Sequence, residues 1–279
     1  MKWILLLVSA LTLGATPARP VYNGDPYPFD TNIMEFVGTP VEAARHLLRP
    51  VMRGGILGRP LTTLPGPLEK LIGQPVKVSR DSLRRYLQAH KISENDLGGS
   101  ITNSLRAKFF IIHDTSTPNF HDKPFPADIN QPSWRFNHLE MWKSHPAAHI
   151  FVSRTGESIT CHEFVVPWRA TKFESKVLTK EQSRGLFVHI ENTMPRRSDP
   201  ARQPGNDAIA PTPGFTTPML DRLALLYLTA SVEHGQWMLP AFHATIDAGI
   251  PDAHDDPQNF DLNLWAARLD LLLKEIGQP

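Results

Sequence analysis

The sequence predicts an α/β layer fold, a mixed central β-sheet flanked by helices, with a small helical region ahead of it. Two observations carry this. Short apolar runs of strand length, among them Lys108-Phe-Phe-Ile-Ile-His113 and Leu186-Phe-Val-His-Ile-Glu191, end abruptly in polar residues. They alternate along the chain with segments whose apolar residues recur at helical spacing.

The elements follow in order. Lys2, the apolar run from Trp3 to Leu13 and the small residues Gly14, Ala15 and Ala18 have the layout of a secretory signal peptide over residues 1–18. The run is shorter than the roughly 20 apolar residues that a membrane-spanning helix needs. Residues 19–104 form the helical and irregular N-terminal region. Thr39-Pro40 reads as an N-cap with proline at the first helical position, opening a helix whose apolar face is Ala43, Ala44, Leu47 and Leu48, with Pro50 closing it. The Gly- and Pro-punctuated stretch 54–75 reads as a loop. Ser79 is a second cap, with Val78 against Leu83 as a hydrophobic staple.

Residues 105–279 form the main domain. Strands are expected at 107–113, 149–154, 157–161 and 186–191, the middle two joined by the hairpin turn Arg154-Thr-Gly-Glu157. The stretch 192–215 contains five prolines and no apolar periodicity, so it reads as a long surface loop. Thr217-Pro218 opens a helix with Leu220, Leu223, Ala224, Tyr227 and Leu228 on its face, closed by Gly235. A last helix, capped by Asp261, presents Leu262, Trp265, Ala266 and Leu269.

Composition narrows the function. Without Lys2, the remaining 28 basic residues balance 28 acidic ones, so there is no electrostatic footprint for nucleic acid. No later segment is apolar enough to span a membrane after signal cleavage. The single cysteine, Cys161, cannot form an intramolecular disulfide, so stability must come from an apolar core. Export without disulfides points to a bacterial envelope: a secreted, periplasmic protein.

The chemistry is concentrated in a few residues. His113 ends an apolar strand, where the sheet holds it rigidly while its ring still reaches the rim. Downstream stand Phe242-His243 and His254-Asp-Asp256. Two imidazoles and a carboxylate from separate segments suit an open zinc site, which needs three protein ligands and a position for water. Strand alternation puts Phe187, His189 and Glu191 on one face. A glutamate ending an apolar strand is costly to bury alone, so it reaches solvent, a salt-bridge partner or a metal-activated water.

Taken in order, these pieces resemble a known family. An apolar strand ending in His is followed by His149-Ile-Phe-Val-Ser-Arg-Thr-Gly156, a strand ending in Ile190-Glu191, an amphipathic helix, Phe242-His243, and Asp256-Pro257 before a terminal helix. The order is similar to that of the zinc-dependent N-acetylmuramoyl-L-alanine amidases, which share their fold with peptidoglycan recognition proteins, over about residues 105 to 275. The resemblance implies one Zn2+ held by His113, His243 and Asp256, with peptidoglycan or muropeptides as partner. Glu191 would orient and deprotonate the attacking water, and His254 would donate to the developing oxyanion. The reaction would cleave the amide between the lactyl group of muramic acid and L-alanine of the stem peptide. His149, on the hairpin strand, would line the substrate groove. Arg169 stands where relatives carry histidine, and would either meet a stem-peptide carboxylate or lie solvated at the surface. The chain departs from the pattern in having His254 where relatives often have lysine. A longer spacing between His243 and Asp256 leaves Asp255 as a rival ligand.

Other readings differ at specific residues. A cysteine hydrolase using Cys161 and His162 is disfavoured, because adjacent strand residues point to opposite faces. A non-lytic peptidoglycan- or muropeptide-binding protein on the same fold would keep the groove and lack the zinc ligands. A closed structural zinc site would favour more cysteines than this chain has. His149 and His189 also suit a packed core. Trp134 and Trp142 would serve either core packing or sugar stacking.

Overall fold

A computed structural model describes residues 24–102 and 105–277. The expected signal peptide, residues 1–18, lies outside the described residues. Two short antiparallel ribbons come first: β1 (Phe29–Asp30) with β2 (Glu35–Phe36), then β3 (Val51–Met52) with β4 (Ile56–Leu57). Between them runs α1 (Pro40–Leu47). Its N-cap Thr39 and Glu42 form a reciprocal capping box, as a threonine three residues before a glutamate favours. α2 (Gly66–Leu71) and α3 (Arg80–Ala89) follow, the latter capped by the Ser79 side chain, which accepts from the Ser82 amide.

α2 falls inside the stretch read as a loop. Its prolines hide the helix, yet proline is tolerated in the first turn. Burial of Leu68 and Ile72 supports it, and the Glu69 side chain accepts from the Leu64 amide.

The main sheet has five strands: β5 (Phe109–Asp114), β6 (Ile150–Val152), β7 (Ser158–Thr160), β8 (Phe187–Asn192) and β9 (Leu239–Phe242), in the order β7-β6-β8-β5-β9. Strands β6, β8, β5 and β9 are parallel, and β7 returns antiparallel to β6 through the predicted hairpin. The fold is therefore mixed α/β. β9 is absent from the sequence reading, because Pro240 removes a ladder donor. It is accommodated because β9 is an edge strand, pairing only with β5.

α4 (Lys172–Lys176) and α5 (Lys180–Ser183) precede β8. α6 (Thr217–His234) follows it, capped by Thr216 rather than Thr217 and closed by Gly235 in a left-handed conformation (φ 87°). The short α7 (His243–Ile246) begins where β9 ends, and α8 (Leu262–Gly277) closes the domain, with the Asp261 carboxylate accepting from the Leu264 amide.

Helices α6 and α8 cover one face, where Tyr227 packs between Phe110 of β5 and Trp265 of α8 at ring separations of 5.3 Å each. On the other face Phe109 and Phe187 meet Phe36 of β2 and Phe173 of α4. Buried residues of the N-terminal helices, such as Leu47, Leu68 and Leu83, belong to the same continuous core as the sheet. Among the described residues no helix is long and apolar enough to cross a membrane.

Candidate metal centre

Three parallel strands deliver the site at their carboxyl ends, the usual place for a ligand in an open α/β sheet. His113 is the fifth of six residues in β5, Glu191 the fifth of six in β8, and His243 follows β9 directly as the first residue of α7. Asp256 comes from the segment before α8 and is fastened by backbone. Its carbonyl accepts from the Ala244 amide at 2.7 Å, and its Oδ2 accepts from the Asp114 amide at 3.0 Å.

The two imidazoles face each other through Nδ1 at 2.9 Å. His243 Nδ1 is 3.0 Å from Asp256 Oδ1, and His113 Nδ1 is 3.8 Å from Asp256 Oδ2. A tetrahedral ion with bonds of about 2.0–2.1 Å sets its ligand atoms roughly 3.3 Å apart. The triangle of donors has that scale, so His113, His243 and Asp256 lie close enough together to bind one metal ion. All three are buried at 1–2 % exposure.

Electrostatics divides the pair. Burial and the neighbouring His243 hold the His113 imidazole well below its ordinary range. Burial also acts on His243, but Asp256 and Asp247 outweigh it and hold this ring well above that range. A cationic ring against a neutral one therefore presents a single proton in the gap, where a divalent ion would replace it.

Glu191 stands beside this group. Its Cα is the register partner of His113, and its Oε2 is shielded from solvent without a hydrogen-bond partner. Burial pushes the Glu191 carboxyl well above the usual carboxylate range, and the negative charges of Asp256 and Asp114 add to the effect. His254 forms the solvent-facing wall. It is 44 % exposed, stacks on His243 with centroids 4.6 Å apart, and places Nδ1 3.7 Å from Asp256 Oδ1.

Asp255 is turned away. Its carboxylate accepts from Gln258 Nε2 at 3.0 Å and lies 3.8 Å from Arg196, so Asp256 is the aspartate that meets the histidines.

One expected substrate contact turns inward. His149 is fully buried: its Nδ1 accepts from the His189 amide at 3.1 Å, and its Nε2 is 3.0 Å from the Val166 carbonyl. Burial and the adjacent His189 push it down to about 3, so the ring is neutral with both nitrogens engaged. This correction follows from the start of β6 running through the interior instead of along a groove. Arg169 is exposed and lines a separate basic cavity with Trp168, Lys180 and Arg184.

Of the remaining candidates, Trp134 is buried and Trp142 stacks on Phe151 at 4.9 Å, so both pack. Burial raises the Cys161 thiol, and the neighbouring His162 ring stacks on Trp168, away from any role as its base.

Four site residues escape the sequence reading: Asp114, Arg196, Glu174 and Asp247. Asp114 follows His113, so alternation sends its side chain to the opposite face. There it accepts from Arg196 Nη2 through both oxygens, at 2.8 and 2.7 Å. His189, Glu174 and Asp247 lie beneath the ligand histidines. The signals were present: Thr171-Lys-Phe-Glu174 is a capping-box pattern, and Asp247 is one helical turn after His243.

Comparisons with protein-family models, curated proteins and solved structures find no match for this chain.

Proposed function

We propose that this chain is a secreted, periplasmic zinc amidase of the N-acetylmuramoyl-L-alanine amidase type, with the amidase and peptidoglycan-recognition fold over residues 105–279. Its substrate would be peptidoglycan or a muropeptide. The observation that carries the reading is a buried triangle of two imidazole nitrogens and a carboxylate, with the unpartnered Oε2 of the half-buried Glu191 at its side. A binding protein has no need to keep a shielded carboxylate oxygen without a partner, since an unsatisfied group costs about 1–3 kcal/mol. The ordered motifs along the chain supply the substrate class, and residues 2–18 supply the compartment.

His113, His243 and Asp256 would hold the ion. When bound, zinc supplies Lewis acidity, which acidifies water and polarises a carbonyl. Glu191 Oε2 takes a proton from the water that attacks the lactyl carbonyl carbon. The same oxygen hands that proton to the L-alanine nitrogen as the carbon–nitrogen bond breaks. The raised proton affinity of Glu191 suits it to hold the proton between the two events. His254, at the open wall, donates a ring N–H to the oxygen that gains charge.

Digestion of purified peptidoglycan with and without chelator, followed by mass analysis, tests the reading. The expected products are stem peptides with a free L-alanine amine, lost on chelation and absent with His113→Ala. Full release of those peptides by a metal-free variant would rule the assignment out.

A further inference from the structure

His113 and His243 each have a second ring nitrogen, and both lead to the same short segment. His113 Nε2 is 3.0 Å from His189 Nδ1. With Nδ1 of His113 turned toward Asp256 and His243, its Nε2 carries the hydrogen and donates to His189. His189 must then carry its own hydrogen on Nε2, 3.2 Å from Glu174 Oε2. His243 Nε2 is 3.0 Å from Asp247 Oδ2. Neither contact is aligned as a finished N–H···O bond, but these buried nitrogens have no other partner. A small ring rotation toward the carboxylate is therefore their way to be satisfied.

The two carboxylates are held by one stretch of backbone. Glu174 Oε2 accepts from the amides of Ala170 and Thr171 at 3.0 and 3.1 Å and from the Thr171 hydroxyl at 3.0 Å. The Asp247 carboxylate accepts from the amides of Lys172 and Phe173 at 3.0 and 2.8 Å. His189 is itself pinned from behind by the hydrogen bond that its backbone amide donates to His149 Nδ1. Four consecutive residues, Ala170 to Phe173, thus fix both acids.

We propose that residues 170–174 are a common anchor that orients both histidine ligands, His113 through Glu174 and His189, and His243 through Asp247. This inference rests on the reading that His113, His243 and Asp256 bind zinc. His189, Glu174 and Asp247 are positioning residues. They set the tautomer and direction of the ligand rings and raise their basicity, as carboxylates behind metal-bound histidines do.

The test is zinc affinity, measured by competition with a chromogenic chelator on the full chain, beside the thermal midpoint of each metal-free protein. His189→Phe should weaken zinc binding by about 100-fold, and the isosteric Glu174→Gln and Asp247→Asn by about 10-fold each. A role in packing alone would lower the midpoints and leave the dissociation constants unchanged. Should His189→Phe fail to fold, the two isosteric variants carry the test. A wild type that binds zinc, with isosteric variants that bind it within twofold as tightly, overturns the anchor. A wild type that binds no zinc overturns the metal reading and the anchor with it.

Discussion

His113 and Glu191 are register partners on the parallel strands β5 and β8, and they project from the same face of the sheet. Paired strands lie about 4.8 Å apart, so the ladder itself sets the distance from the candidate base to the first ligand. The sheet thus fixes His113 against Glu191, while Asp256 is held from the segment before α8 by its bonds to the Asp114 and Ala244 amides.

Glu191→Gln should keep zinc and lose turnover. The amide fills the same space without holding a proton, so hydrolysis is expected to fall by about 100-fold or more. Metal content and turnover measured on one preparation separate the two effects. Unchanged turnover would return Glu191 to a structural role.

The two neighbouring aspartates should behave differently. Asp256→Asn should strip the metal, because its oxygens lie against His243 and His113. Asp255→Asn should retain it, because Asp255 faces Gln258 and Arg196. Zinc content after dialysis decides between them, and equal loss in both would contradict the assignment.

The buried pair of Asp114 with Arg196 should matter for stability. Both side chains are at 0 % exposure, and removing the Asp114 charge leaves Arg196 to the more distant Asp255, at 3.8 Å. Asp114→Asn is expected to cost about 3–5 kcal/mol in urea unfolding. A loss under 1 kcal/mol would mean that Asp255 or water takes over the guanidinium.

Glu233 gives a pH-dependent outcome away from the site. Burial pushes its carboxyl up to about 8. Between its ordinary value and that point the unfolded chain releases the proton while the folded one keeps it. Stability from this group therefore falls as pH rises across that window and is level above it. Glu233→Gln should be more stable than the parent at pH 8, on the order of a few kcal/mol, and equal to it at pH 4. Parallel thermal melts at the two pH values measure this, and a stabilisation of the same size at both would exclude burial of the charge as its cause.

Local chemistry made much of the fold legible. Capping patterns at Thr39 and Ser79, the stripes of α6 and α8, and the apolar runs of β5 and β8 are written in consecutive residues. α4 and α5 are not legible in the sequence, although each opens with a Thr and a Glu or Gln at the capping-box spacing. Their apolar content is too low to show periodicity in four or five residues. β9 was hidden by Pro240, which only an edge position accommodates.

The sequence by itself determined which residues are able to donate to a metal and the order in which they come, because side-chain identity and strand-end position are local properties. Only the tertiary structure decided that Asp256, not Asp255, meets His113 and His243, that His149 turns inward, and that residues 170–174 lie beneath both histidines. Those outcomes depend on contacts between segments as far apart as 142 positions in the chain, set by sheet register and packing rather than by neighbouring residues.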